Sequence, residues 1–89
     1  MTGLELNSTK NDPVNTVDLV GVKSKDAFSN ALKETKYGDK IHYHIGQYAG
    51  GPFRLDALMA NQAGLVSVVQ KKLGSGLFQY IAQRTKKRL

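Results

Sequence analysis

Two histidines in one short segment are the residues whose spacing most resembles a chemical site. His42 and His44 lie in residues 41–45, where apolar and polar side chains alternate, so a strand there would place both imidazoles on one face. Two ring nitrogens at this spacing can bind zinc, but a competent site needs a third and a fourth ligand, and Asp39 is the only nearby candidate in sequence. The pattern therefore favours ordinary strand residues over a metal centre, and we predict no metal and no cofactor.

The rest of the sequence has no pattern that is typical of an enzyme. It contains no paired carboxylates and no serine, histidine and aspartate in a local catalytic context. The glycines at 46, 50 and 51 match no phosphate-binding fingerprint. We therefore predict that the protein has no catalytic residues and is not an enzyme.

Composition limits where the protein would act. The 89 residues are enough for one small domain, and none of them is a cysteine, which excludes a disulfide framework and suits a reducing compartment. No apolar run approaches the roughly 18–20 residues of a membrane span, and no secretory leader is visible. The sequence predicts a cytoplasmic protein that has no membrane partner.

The positive charge is confined to one part of the chain. Residues 1–56 carry seven Lys or Arg and seven Asp or Glu, whereas residues 57–89 carry six basic residues and no acidic one, which accounts for the net charge of +6. A concentrated field of this kind attracts a polyanion, nucleic acid first and an anionic membrane or an acidic protein second, although it can also serve solubility alone. The basic residues of this region are Lys71, Lys72, Arg84, Lys86, Lys87 and Arg88.

The elements that must position these charges follow from local patterns. Ser24 as N-cap and Gly38 beyond the last turn predict a helix over residues 25–36, and Gly64 ends a second helix over residues 53–63. On this second helix Leu55, Leu58, Met59 and Gln62 fall on one side. Strands are predicted over residues 41–45, 65–73 and 77–84, with a three-residue turn at 74–76, and residues 14–22 form a short extended piece.

These elements predict an α+β domain over residues 14–84, with a mobile tail at 1–13 and a frayed basic tail at 85–89. The order helix-strand-helix-strand-strand gives a three-stranded antiparallel sheet with helices on one face. Val66, Val68, Phe78, Tyr80 and Ala82 would share the core face. The opposite face would be unusually apolar and a candidate surface for a homodimer, since it would carry Val69, Leu73, Leu77 and Ile81.

The passage from the second helix into the hairpin carries a resemblance. A helix end, then Ala63-Gly64-Leu65-Val66, then a hairpin with a Gly-Ser-Gly tip and basic flanks, resembles the recognition helix and wing of winged helix-turn-helix DNA-binding domains. The chain departs from that family in having room for one good helix, not two, before the wing, so the domain would be a reduced version. It is also similar to small bacterial and phage proteins that share this ending.

The resemblance implies roles for particular residues. Lys71, Lys72 and Ser75 would form a wing along duplex DNA phosphates, and Arg84, Lys86, Lys87 and Arg88 would extend it as a flexible arm. Arg54, Asn61 and Gln62 would be the side chains of the second helix able to read base edges.

Two alternatives stay open. The second helix is only weakly polar, which favours a protein-interaction module, such as a phage-type adaptor or inhibitor, that binds an acidic protein. Tyr43, Tyr48, Phe78 and Tyr80 could stack on single-stranded bases, although core packing is the more ordinary use of such side chains.

Overall fold

A four-stranded mixed sheet carries both helices in the computed structural model, which describes residues 15–89. The mobile tail expected at 1–13 lies outside the described residues. The strand order is β1-β2-β4-β3. The elements are β1 Thr16–Asp18, α1 Ala27–Glu34, β2 Lys40–Gly46, α2 Arg54–Gln62, β3 Val66–Gly74 and β4 Leu77–Arg84.

The α+β class is confirmed, but the prediction of three antiparallel strands is wrong. β2, β4 and β3 are antiparallel neighbours, and β1 adds a fourth strand parallel to β2. Backbone hydrogen bonds from Leu19 to His42 and from Lys40 to Asn15 fix this short strand. The buried Asp39 carboxylate also accepts a bond from the Asn15 N–H at 3.2 Å. The sequence did not predict β1 as a strand of the sheet, because the apolar residues of 14–22 follow neither the helical nor the strand periodicity.

The first helix is shorter than predicted at both ends. It begins after Asp26, two residues beyond the expected cap Ser24, whose carbonyl instead accepts a turn bond from Ala27. It ends at Glu34 because Thr35 leaves the helical conformation for an extended one. The Ala31 carbonyl accepts both the Thr35 N–H at 3.0 Å and the Thr35 hydroxyl at 2.7 Å, so Thr35 caps the last turn.

The hairpin is confirmed, with a tighter turn than the expected one. Gly74 pairs with Leu77, so only Ser75 and Gly76 lie in the turn, and Gly76 has a φ of 68° that favours glycine. The register shifts between Lys72 and Gly74, which leaves Leu73 as an extra, bulged residue.

A second irregularity in β2 changes which way its side chains face. His42 pairs with Ile81 and His44 pairs with Tyr80. Because Ile81 and Tyr80 are neighbours in β4, Tyr43 has no partner there and forms a β-bulge. Because neighbouring residues of β4 face opposite sides, the two histidines do so as well. The prediction that they share one face is therefore wrong.

The core lies between the two helices and one face of the sheet. Of the predicted core residues, Val66, Tyr80 and Ala82 are buried, Phe78 is half-buried and Val68 is 41% exposed. The other buried apolar residues of this cluster are Leu19, Phe28, Ala31, Ile41, Tyr43, Phe53, Ala57 and Ala60.

The second helix packs through its small side chains. Ala57 and Ala60 are buried, whereas Leu55, Leu58 and Met59 are 61%, 43% and 58% exposed. The outer face of the sheet carries no described helix, and on it Val69, Leu73 and Leu77 are exposed while Ile81 is buried among its neighbours. Among residues 15–89, neither helix is long and apolar enough to cross a membrane.

Candidate nucleic-acid interface

The basic residues of the last third form two separate regions, not one surface. Lys72 pairs with Phe78 near the hairpin turn, and Val66 pairs with Arg84 at the other end of the same ladder. Six residues of strand at about 3.3 Å each put these ends roughly 20 Å apart. The expectation of a continuous wing and arm is therefore wrong, and each region has to be judged by itself.

The hairpin tip spreads its charges. Lys71 pairs with Gln79 and Lys72 pairs with Phe78, so the two lysines lie on opposite faces of the sheet, and Ser75 lies in the turn beyond them. All three are exposed. The tip therefore places one lysine on each face of the sheet. The two lysines could not both contact one strand of phosphates lying against a single face.

Arg84 is buried, which contradicts its predicted role as a phosphate contact. Its Nη1 donates to the carbonyls of Leu32 and Thr35 at the end of α1, the second at 2.9 Å. Nε donates to the Leu65 carbonyl at 3.3 Å and Nη2 to the Lys87 carbonyl at 3.2 Å. Because these backbone carbonyls occupy its N–H groups, the guanidinium stabilises the fold and is not available to contact a phosphate.

The residues after Arg84 are held against the body, which corrects the expectation of a frayed arm. The Thr85 hydroxyl donates to the Gly64 carbonyl at 2.6 Å, and its N–H donates to the Leu65 carbonyl at 3.0 Å. The Lys87 ammonium donates to the carbonyl of Ala63 at 2.7 Å, at the end of α2. Cations at the carbonyl ends of both helices match the helix dipoles.

A groove of 540 Å³ runs between this tail and the end of α1. Five of its lining residues are exposed cations, and no described acidic residue lines it. Arg84 lies at its base, where it satisfies the last carbonyls of α1 that would otherwise repel an anion. The exposed cations of the groove are Lys33, Lys36, Lys86, Lys87 and Arg88.

An aromatic ring stands at the edge of this groove. Tyr37 is 64% exposed, and the Lys86 ammonium lies 5.7 Å from its ring centroid. The same pair lines a second groove of 460 Å³, which leads to Ser67 and Gln83. Because Gln83 pairs with Lys40 on the outer face of the sheet, the surface continues there past a further lysine. A chain of phosphates could follow this path, with a base against the tyrosine.

Arg54, Asn61 and Gln62, the residues expected to read bases, are all exposed, but only the first two line the same part of the surface. Arg54 and Asn61 line a small cavity against the sheet, and the Asn61 amide donates to the Val66 carbonyl at 2.9 Å. Gln62 is exposed at the last residue of the helix. The exposed apolar side chains of α2 could make no hydrogen bond to base edges in a groove.

The histidines do not converge on a metal. Nδ1 of His42 is 2.8 Å from Nε2 of Gln79, whereas the ring of His44 packs 5.7 Å from that of Tyr80 on the other face. The Asp39 carboxylate accepts the backbone N–H groups of Asn15 and Lys36. Within residues 15–89, no group of three or more His, Cys, Asp or Glu could hold a metal ion.

The four aromatic residues weighed as a stacking platform are scattered. Tyr43 and Tyr80 are buried in the core with their rings 6.4 Å apart, and Phe78 is half-buried beside them. Tyr48 is 79% exposed in the loop before α2. Tyr37, just beyond the end of α1, is the ring that lies next to the basic tail.

Sequence reasoning also missed the contribution of α1 to the groove. Lys33 and Lys36 were recognisable as cations at a helix C-terminus, but not as neighbours of the tail. The last basic run comes close to Lys33 in α1 and to Lys36 just beyond it only because β4 ends beside α1.

Comparison with models of known protein families, with characterised proteins and with solved structures finds no match for this chain. The winged-helix resemblance therefore remains a prediction from the sequence.

Proposed function

We propose that the protein binds nucleic acid, with duplex DNA the first expected ligand, through phosphate contacts in the basic groove. The single observation that supports this most is the convergence of exposed cations from α1 and the tail on a groove that no described acidic side chain lines. Phosphate contacts of this kind give affinity without reading sequence. We assign the function to the cytoplasm, in keeping with the absence of cysteine.

The proposal places the contacts at the tail and not at the hairpin tip. Lys33, Lys86 and Arg88 are exposed, and the ammonium or guanidinium of each is free of hydrogen bonds to other described residues. This differs from the reduced winged-helix mode, in which the tip and α2 would make the contacts. The exposed apolar residues of α2 favour binding that does not depend on base sequence.

We expect the variant with Lys33→Gln, Lys86→Gln and Arg88→Gln to lose most of its affinity for DNA. If the wild-type protein neutralises about four phosphates, log affinity against log salt should have a slope near −3.6, and each lost contact should flatten it by about 0.9. Fluorescence anisotropy with a random-sequence duplex at several salt concentrations measures both quantities. A single strand titrated in parallel shows whether stacking on Tyr37 adds affinity.

The matched control is Lys71→Gln with Lys72→Gln, which removes charge at the hairpin tip. The slope of log affinity against log salt for this variant should differ from that of the wild-type protein by no more than about 0.9, the value of one phosphate contact. If the tip variant flattens the slope and the groove variant does not, the tip is the interface and the groove proposal is wrong. If the wild-type protein binds neither form of DNA, nucleic-acid binding is rejected altogether.

A second candidate function, binding an acidic protein segment, is favoured by the free edge of β3. Of the described strands, only β4 pairs with β3, and every residue from 67 to 74 is exposed. An extended segment can add to such an edge through main-chain hydrogen bonds. Lys71 and Lys72 on this edge favour a strand with acidic residues, and they disfavour a second copy of a chain whose net charge is +6.

We expect a synthetic peptide of alternating valine and glutamate to bind this edge and to slow hydrogen exchange of β3 amides. The control is the same peptide with alternate backbone nitrogens methylated, which keeps its charge and side chains but cannot complete the ladder. Equal binding of both peptides would show plain charge attraction and would contradict strand addition.

A further inference from the structure

A buried hydroxyl in the core has no partner within the described part of the chain. Tyr43 is only 4% exposed, and its ring packs against Phe28 and Tyr80 with centroids 6.1 and 6.4 Å away. Its hydroxyl makes no hydrogen bond to any other residue between 15 and 89. Because an unmade hydrogen bond at a buried polar group is costly, a hydroxyl without a protein partner bonds to water or to a ligand.

The hydroxyl belongs to a residue that lines a cavity of 210 Å³ between α2 and β3. Arg54, which is exposed, also lines this cavity and forms no ion pair with the described residues. Asn61 adds an amide at its edge, held in place by its bond to the Val66 carbonyl. The remaining lining residues, Ala49, Leu58 and Val68, are apolar.

The electrostatics keep the phenol protonated as a donor. Burial raises the pKa of Tyr43 and nearby Tyr80 raises it further, while the positive charge of Arg54 lowers it by less. At neutral pH the neutral O–H and the guanidinium belong to two residues that line the same cavity. A planar anion with two acceptor oxygens satisfies both, since guanidinium groups match carboxylates in a bidentate manner.

The geometry points to a binding site for a small carboxylate with a short apolar body, the anion held by Arg54 and the Tyr43 hydroxyl and the body packed against Leu58 and Val68. The volume fits this class of ligand, because a cavity of about 150 Å³ admits benzene. This site lies on the α2 side of the core and is independent of the basic groove.

The probe for this site is 3-methylbutanoate, titrated into isotope-labelled protein and followed by NMR. We expect saturable shifts that concentrate on the side-chain N–H groups of Arg54 and Asn61 and on the methyl groups of Leu58 and Val68. Affinity on the order of millimolar is reasonable for so few atoms. The neutral isostere 3-methylbutanamide should bind at least about tenfold more weakly, since it lacks the charge that Arg54 would pair with.

Two variants separate binding from folding. Tyr43→Phe removes only the unpartnered hydroxyl, so it should leave the melting temperature unchanged or raised while weakening the carboxylate several-fold. Arg54→Gln should abolish the preference for acid over amide, whereas Lys25→Gln, an equal charge change at a residue that does not line the cavity, should not. The inference is overturned by shifts that do not saturate, by equal binding of acid and amide, or by full binding to both cavity variants.

Discussion

His42 lies on the outer face of the sheet, and its surroundings favour the neutral ring. Burial lowers its pKa below the usual 6.5; Asp18 acts in the opposite direction, and the nearby charges of Lys40 and Lys71 lower the pKa further. Nδ1 lies 2.8 Å from the Gln79 amide nitrogen, so the neutral ring accepts a hydrogen bond there. Protonation at Nδ1 would place its N–H against the N–H of the Gln79 amide, and this hydrogen bond would be lost.

The lowered pKa gives a pH dependence with a definite sign. Because the unfolded chain binds the proton more readily than the folded one, folding free energy contributed by His42 is fully present above about pH 6.5 and is lost as pH falls below it. We expect the melting temperature of the wild-type protein to fall more between pH 7 and pH 5 than that of His42→Gln, which cannot titrate. Parallel curves for the two proteins would show that His42 does not contribute.

Among the elements, those with strong local signals could be predicted and those set by packing could not. The hairpin, α1 and β2 could be predicted because glycines at turns and helix ends, and the alternation of apolar and polar residues, indicate them in the sequence. The bulge at Tyr43 was not, since it depends on how β2 aligns with β4. It also explains the glycines that follow: a Cβ at Gly46 or Gly51 would lie 2.8 or 2.7 Å from the His44 ring.

The second helix shows how packing overrides hydrophobicity. By side-chain type alone, Leu55, Leu58 and Met59 form the obvious buried face. The structure buries Ala57 and Ala60 instead, with Phe53 supplying the bulk at the start of the helix. Small side chains let the helix approach the sheet closely, a constraint that only the assembled fold reveals.

At the scale of the whole molecule, the sequence located the positive charge in the last third of the chain. It did not show which of the basic residues are structural and which are exposed to a ligand. The acid-free last third was evident, and strand alternation places Arg84 on the same face as Tyr80 and Ala82, but its charge favoured a surface role. Arg84 is buried, whereas Arg88 is exposed. Arg84 joins three parts of the fold, since it bonds to the end of α1, to the Leu65 carbonyl at the entry to β3 and to the tail at Lys87. The tail that it holds is also one wall of the proposed groove.

Replacing this guanidinium should therefore lower stability and weaken nucleic-acid binding together. Hydrogen bonds to a charged group contribute about 1.5–3 kcal/mol each, so we expect Arg84→Gln to lower the free energy of unfolding by at least about 2 kcal/mol. Thermal melts should shift by roughly 4–8 °C per kcal/mol in a domain of this size. Lysine keeps the charge but not the planar fork, so Arg84→Lys should fall between glutamine and the wild-type protein.

The matched control is Arg88→Gln in the same tail, which should change the free energy of unfolding by no more than about 0.5 kcal/mol because its side chain is exposed. Urea titrations of the four proteins measure these differences directly, and DNA binding at low temperature reports on the groove while all of them remain folded. Equal stability losses for the two glutamine variants would show that the buried guanidinium does not hold the tail. A groove that binds DNA normally in Arg84→Gln would show that the tail keeps its place without it.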